Sequence, residues 1–263
     1  MAAQGVENQL AQPFQSRTVS FVRRDNRLRP RLQRTWDDHH EAWLLDVPRV
    51  KATMSVAPGY VLDPVRDFGR LAPLVVEIGS GTGDAVIQGA LASPAKNFLA
   101  VEVYRPGMAA TLAKIVRHDL TNVRLVQADA IQVLQHMLGL GSVAEIWVFF
   151  ADPWHKTRHH KRRLVNPGFA ELAASRLAME GTLRLATDWA DYARQMRDVL
   201  AGCGSLTNPH DGGLSDLETG FAPRFEGRAM TRFEQKALAV GRTIYDLEVR
   251  RTPVPEPARP TWC

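Results

Sequence analysis

The sequence predicts an α/β fold, a mostly parallel sheet with helices on both faces, and three observations carry that prediction. From Leu74 onward, short β-rich runs alternate with amphipathic helical stretches. The runs are apolar almost throughout, as strands covered on both faces are. Only the late run Thr243–Arg250 alternates apolar with polar, which suits a strand at or near an edge.

Composition sets the frame. The 263 residues are 45% apolar and 23% charged, enough for one sizeable core and one principal domain with an extension. The formal net charge is +5 and the pI about 9.5. That excess points to a polyanionic partner only where the cations cluster. Cys203 and Cys263 stand far apart, which argues against a disulfide framework or a thiolate zinc site and suits a reducing cytoplasm. No apolar run approaches the roughly 20 residues of a membrane span, and the start of the chain lacks the layout of a signal peptide. The chain reads as soluble and cytoplasmic. Monomer and homodimer stay open.

Residues 1–73 are polar, arginine-rich and poorly periodic, an N-terminal basic extension expected to be partly flexible. Arg23, Arg24, Arg27, Arg29, Arg31 and Arg34 crowd one stretch with only Asp25 against them. Such a run is either a solvated tail or an arm that docks on phosphates. The principal domain is expected over residues 74–251, followed by a Pro-rich tail, 252–263, without regular structure.

The first strand, Leu74 to Ile78, runs into Gly79-Ser80-Gly81-Thr82-Gly83-Asp84 and then a helix. Alternating glycines permit a tight turn and let a ligand approach the backbone. The spacing is Gly-x-Gly-x-Gly, not the Gly-x-Gly-x-x-Gly of a pyrophosphate loop. Glu77, just before the glycines, repels phosphate but suits a cationic amino-acid end such as that of S-adenosyl-L-methionine. The second strand, Asn97 to Val103, carries Glu102, a carboxylate placed to accept both hydroxyls of a ribose. The third, Val123 to Gln127, leads to Asp129, which either caps a helix or accepts from an adenine amino group. Three acids after three successive buried strands outline an adenosine-bearing cofactor.

The fourth strand, Glu145 to Phe150, delivers Ala151-Asp152-Pro153-Trp154-His155-Lys156 to the same sheet edge. Pro153 stiffens the turn, and Trp154 offers a face on which a base can stack. Lys156, Arg158, Lys161, Arg162 and Arg163 follow with His155, His159 and His160 between them and no acid. That run is either a solvated face or a phosphate clamp. A metal site is not expected, because the cations oppose a dication and no carboxylate or thiol completes a ligand set. Helices are expected over Pro106 to His118 and Phe169 to Met179, and a fifth strand over Thr182 to Ala186. Asp188 after that strand is either a helix N-cap or a ligand for the substrate. Thr231 and Glu234 form a Thr-x-x-Glu capping box opening the last helix.

These motifs together resemble the bacterial tRNA (guanine-N7)-methyltransferase family. The resemblance runs from Arg17-Thr18-Val19-Ser20-Phe21-Val22-Arg23-Arg24 to Leu247-Glu248-Val249-Arg250 and is weakest between Arg34 and Leu71. Its carriers are the Glu77–Gly83 loop, the Phe149–Arg163 loop, Ala186-Thr187-Asp188-Trp189 and Thr231-Arg232-Phe233-Glu234-Gln235-Lys236. It departs at Ala151, where the family usually has proline. The resemblance implies a class I S-adenosylmethionine-dependent methyltransferase fold, Rossmann-like, with a mostly parallel seven-stranded sheet and an antiparallel late strand. It also implies cofactor contacts from Glu77, Gly79, Gly81, Gly83, Glu102, Asp129 and Asp152, with Asp152 catalytic as well. Lys156, Asp188, Thr231, Arg232, Phe233 and Glu234 would surround the substrate guanosine, at position 46 in the variable loop of tRNA. Arg158, His159, His160, Lys161, Arg162 and Arg163 would contact the RNA.

Guanine N7 carries a lone pair and no proton, so methylation there needs alignment and charge stabilisation, not a strong general base. Asp152 and Asp188 are expected to accept from the Watson–Crick edge of guanine, which adenine cannot match. Two other readings compete: a class I methyltransferase with another substrate, and a catalytically silent RNA-binding relative. A nicotinamide dehydrogenase ranks last because its pyrophosphate loop is absent.

Overall fold

Leu-Val-Val-Glu-Ile at Leu74–Ile78 forms β1, buried along its whole length because it lies mid-sheet with helices on both sides. The computed structural model describes residues 27–50, 54–210 and 220–253, apart from the side chains of Arg232 and Phe233. Arg23 and Arg24, the Arg17–Arg24 motif and most of the Pro-rich tail therefore lie outside the described residues.

In chain order the elements are α1 (Pro30–Trp43), α2 (Pro64–Phe68), β1, α3 (Asp84–Ala92), β2 (Asn97–Glu102), α4 (Arg105–Arg117) and β3 (Val123–Gln127). Then come α5 (Ala130–Gln132), continued by a π-turn at Val133–Met137, β4 (Val143–Phe149), a 3-10 turn at Thr157–Arg162, and α6 (Pro167–Arg176). The rest is β5 (Leu177–Thr187), α7 (Ala190–Ala201), β6 (Leu206–Thr207), α8 (Arg232–Ala239) and β7 (Tyr245–Arg251). The seven strands form one sheet in the order β3-β2-β1-β4-β5-β7-β6. β1 to β5 are parallel, and β7 enters antiparallel between β5 and β6. This is the class I methyltransferase sheet that the motifs imply. The late strand is thus second from the edge, because the two-residue β6 covers it and was too short to leave a period in the sequence.

Alternate residues of the strands feed two cores. Val76, Ile78, Leu99 and Val148 face α2, α5, α6 and α7 through Phe68, Ile131, Phe169 and Tyr192. Val75, Phe98, Leu125 and Trp147 face α1, α3 and α4 through Trp36, Val86 and Leu112. The strand limits match the sequence reading within about two residues, except that β5 begins at Leu177. There it pairs with Val143 and ends the helix expected to reach Met179.

The larger difference is at the N-terminal side. From residue 27 the chain is built into the domain. Proline at its first turn starts α1, whose Trp36 is 6% exposed and lies under the Arg105 guanidinium, 5.0 Å from the ring centroid. Val47, Val56, Leu62 and Phe68 enter the first core. Asp63 caps α2 by accepting from the Val65 and Arg66 amides. The scattered aromatic and aliphatic residues of this stretch show no strong period because most of it is loop. Trp36→Ala is expected to cost about 3–5 kcal/mol of unfolding free energy in urea. A loss under about 0.5 kcal/mol would return α1 to a solvated appendage.

Candidate active site

The carboxyl ends of β1, β2, β3 and β4 meet at one edge of the sheet around a cavity of about 450 Å³. Gly79, Gly81, Glu102, Asp129 and Asp152 line it, joined by Tyr104, Phe149, Phe150 and Leu164. Parallel pairing in register, Glu77 beside Ala100 and Glu102 beside Gln127, brings these strand tips together.

The glycine loop folds as its sequence demands. Gly79, Gly81 and Gly83 have φ of +72°, +55° and +77°, the left-handed region that side chains resist. Gly107 in α4 was not singled out from the sequence, yet a Cβ there would sit 2.4 Å from the Gly81 carbonyl oxygen. It lets α4 press the loop into place. At the start of α3, Asp84 occupies the helix N-terminus and pairs with Lys114. An acid at that position disfavours phosphate, in line with the absent pyrophosphate spacing.

Glu102 is held by backbone. Its Oε1 accepts from the Val103 and Tyr104 amides at 2.7 and 2.9 Å, and its Oε2 accepts from Gly81 N–H at 2.7 Å. A carboxylate has about four acceptor sites, so this one is fixed in place and keeps capacity for a hydroxyl. Asp129 caps α5 through Oδ1, which accepts from Ile131 and Gln132, while Oδ2 has no partner among the described residues. The capping role and a ligand role coexist. Glu77 is 5% exposed, and its Oε2 has no hydrogen-bond partner. Burial pushes its carboxyl up to about 8, with Glu102 and Asp84 adding to the rise against the Val86 amide and Lys114. A buried acceptor left without a donor suits a cationic ligand group. The two open-sided glycines, the fixed Glu102 and this orphaned Glu77 oxygen fit an adenosine ligand with a positively charged amino-acid end.

Beyond β4 the backbone is strained. Phe150 and Trp154 have φ of +56° and +46°, a conformation that costs a bulky residue about 1–3 kcal/mol. Between them Asp152 is exposed on the cavity, with no hydrogen-bond partner among the described residues. The expectation for Arg163 is corrected here. Arg163 is 2% exposed and cannot present itself to RNA. It donates to the Pro153 carbonyl at 2.8 Å, to Gln195 and to Asp191, and lies over the Tyr192 ring. It is the tie that holds the strained loop to α7. Its neighbour His160 lies 3.0 Å from Arg163 Nη2 and is half-buried.

Lys156, Arg158 and Lys161 remain exposed. Arg162 covers one face of Trp154 at 4.9 Å, and His159 meets the ring edge-on, so that aromatic face is engaged by the loop itself. His159 is held below the usual histidine range by desolvation and then by Arg162, Arg158, Lys156 and Lys161.

Asp188 and Lys156 are not on the cavity wall. Asp188 follows β5, and its Oδ2 accepts from Arg242 at 2.6 Å. The cap alternative fails for it, since Trp189 is the N-cap of α7 and no side chain caps that helix. Trp189 packs on His155 at 4.1 Å, which joins this turn to the Asp152–Lys156 segment. Thr231 caps α8 by accepting from Glu234 N–H, but Glu234 does not complete the box. Its side chain is 1% exposed and paired with Arg224 and Arg228. Direct contact of Glu234 with a substrate is corrected to an internal role. Arg232 and Phe233 begin α8, and their side chains lie outside the described residues.

Two outcomes follow. Arg163→Met should lower stability by about 2–3 kcal/mol in urea while leaving the salt dependence of RNA binding unchanged. A phosphate contact would instead leave stability intact and reduce the salt slope by about 1. Glu77 has a folded pKa above its unfolded value, so its contribution is full below about 4.5 and is lost as pH rises towards 8. Between those limits the decline reaches at most about 1.4 kcal/mol per pH unit. Glu77→Gln should flatten that decline in denaturation curves at pH 5, 6, 7 and 8. An equal slope in both proteins would remove the buried proton.

Residues 71–247 match a family model described as a putative methyltransferase. A tRNA (guanine-N(7)-)-methyltransferase of Arthrobacter sp. (strain FB24) is 48% identical over 90% of this chain and 88% of its own length. Its counterpart in Paenarthrobacter aurescens (strain TC1) is 47% identical over 90% and 93%. That of Cutibacterium acnes (strain DSM 16379 / KPA171202) is 48% identical over 89% and 83%. Identity at this level across nearly the whole chain, on a sheet of this order, means that the chain belongs to the tRNA (guanine-N(7)-)-methyltransferase family.

Proposed function

We propose that this protein transfers a methyl group from S-adenosyl-L-methionine to N7 of a guanosine in tRNA, the variable-loop guanosine at position 46. The observation that carries this reading is the union of three carboxylates, Glu102, Asp129 and Asp152, on one cavity that opens beside a cationic loop. Bound S-adenosylmethionine supplies an electrophilic methyl group, and everything else is placement.

Glu102 and Asp129 hold the adenosine, the first through the ribose hydroxyls and the second through the adenine amino group. Glu77 accepts from the amino-acid ammonium. Asp152, exposed and without an internal partner, faces the incoming base and offsets the positive charge that the purine gains. Asp188, steadied by Arg242, has its Oδ1 free of partners among the described residues for the guanine edge. Lys156, Arg158 and Lys161 attract and hold the RNA backbone, which is consistent with their exposure and with the positive field at His159. No general base is required, since N7 carries no proton. Among the described residues no helix is long and apolar enough to cross a membrane.

The test is direct. Labelled S-adenosylmethionine and unmodified tRNA, followed by digestion to nucleosides, should yield 7-methylguanosine from the variable loop. Label in another nucleoside would overturn the assignment. Asp152→Ala should lower turnover by roughly 10²–10³-fold with tRNA binding retained. Near-normal turnover in that variant would remove Asp152 from the chemistry.

A further inference from the structure

The fold carries the arginines of α1 to the sheet edge on which the cavity opens. Two contacts set the direction of this helix. Trp36 lies under Arg105, the first residue of α4, and Arg105 follows the cavity residue Tyr104. About two turns later, Trp43 donates through Nε1 to the Leu120 carbonyl at 2.9 Å, past the far end of α4. α1 therefore runs beside α4, away from the cavity edge. At a rise of about 1.5 Å per residue, Pro30 stands about 9 Å beyond Trp36 on the cavity side. Arg29, Arg31 and Arg34 belong to this end, and all three are exposed.

The charges of α1 are sorted along its length. The arginines occupy the half next to the cavity, and Asp37, Asp38 and Glu41, also exposed, occupy the half away from it. A helix is stabilised by acids at its N-terminus and by cations at its C-terminus, the reverse of this order. α1 has no acid in its first turn. The side chains of the three arginines have no partner among the described residues, although Asp38 lies four positions after Arg34. A solvated helix face interleaves its signs and pairs them. Unpaired cations gathered at one end suit a polyanion instead.

We infer that Arg29, Arg31 and Arg34 form a second docking surface for the phosphate backbone of tRNA, across the cavity from the loop after β4. The inference rests on the tRNA reading above. α1 ends beside β3, where Leu44 bridges Leu125, whereas Lys156, Arg158 and Lys161 follow β4. The strand order β3-β2-β1-β4 sets the cavity between the two groups. Three strand spacings separate β3 from β4, about 14 Å, a span of several phosphates along a duplex strand. RNA held on both flanks lies over the cavity, and contacts of this kind fix its position without reading its sequence. Trp36 and Trp43 anchor the helix to α4 and the turn after it, so the surface is in place before RNA arrives.

The experiment measures binding of the full chain to unmodified tRNA across a series of potassium chloride concentrations. The combined variant Arg29→Gln, Arg31→Gln, Arg34→Gln should bind more weakly and lower the slope of log affinity against log salt by about 2–3. Arg31→Gln and Arg34→Gln alone should each lower it by about 1. Arg117→Gln removes an exposed cation at the far end of α4 and should leave the slope unchanged. The urea midpoint of the combined variant should match wild type or exceed it, since Trp36 is kept and the helix end loses its cations. Should that variant fail to fold, the two single variants decide. An unchanged slope overturns the inference and leaves the tRNA reading standing. A fall in Arg117→Gln equal to that of the single α1 variants overturns it as well, as a plain effect of net charge. No binding of tRNA by wild type sinks the tRNA reading and this inference together.

Discussion

The Glu102 carboxylate accepts hydrogen bonds from Gly81, Val103 and Tyr104, and so binds two turns that come from different strands. Those amides belong to the glycine loop after β1 and to the turn after β2. Charge-assisted bonds of this kind are roughly twice as strong as neutral ones. The parallel pairing of β1 and β2 brings Glu102 within reach, and the approach of Gly107 to the Gly81 carbonyl allows the loop to settle there. The cavity floor therefore exists before a ligand arrives, and the rest of the site is arranged around it.

Elsewhere the molecule accepts local cost in return for placement. The Phe150 and Trp154 backbone is held in the left-handed region, and Arg163 is spent inside the protein to keep it there. Arg228, Glu234 and Asp246 bury charge that would be cheaper in water, offset by mutual pairing and by the Phe149 and Phe150 faces. The segment that carries Arg228 is itself pinned, with Phe225 against Trp147 at 5.4 Å and Ala222 bonded to the start of β7. Those contacts tie the segment to β4 and β7 next to the glycine loop.

The strands, their order of use and the acids at their tips were legible in the sequence because each has a local signature. Leu74–Ile78 and Val123–Gln127 are unbroken apolar runs, and a carboxylate after such a run stands out. Asp188 and Asp129 were legible only as alternatives, since a cap and a ligand contact ask for the same residue type. Arg163 was misplaced because five cations within eight positions look alike on paper, and its burial depends on Gln195, Asp191 and Tyr192, some thirty residues away. Arg228 carried no signal for the same reason, as Asp246 and the Phe149 and Phe150 rings are distant in sequence. The packing of α1 was missed because Trp36 finds its partners on α4, beyond any local period.

The place of β7 has a bearing on how the nascent polypeptide matures. This strand enters between β5 and β6, and it brings Asp246 to a cation made earlier. During vectorial synthesis the ribosome releases the glycine loop and the acid-tipped strands long before that wedge emerges. Until it does, Leu185 and Leu183 of β5 present open hydrogen-bonding edges, and Arg228 has no counter-ion on that side. Closure of the sheet on that side therefore waits for the C-terminal strand.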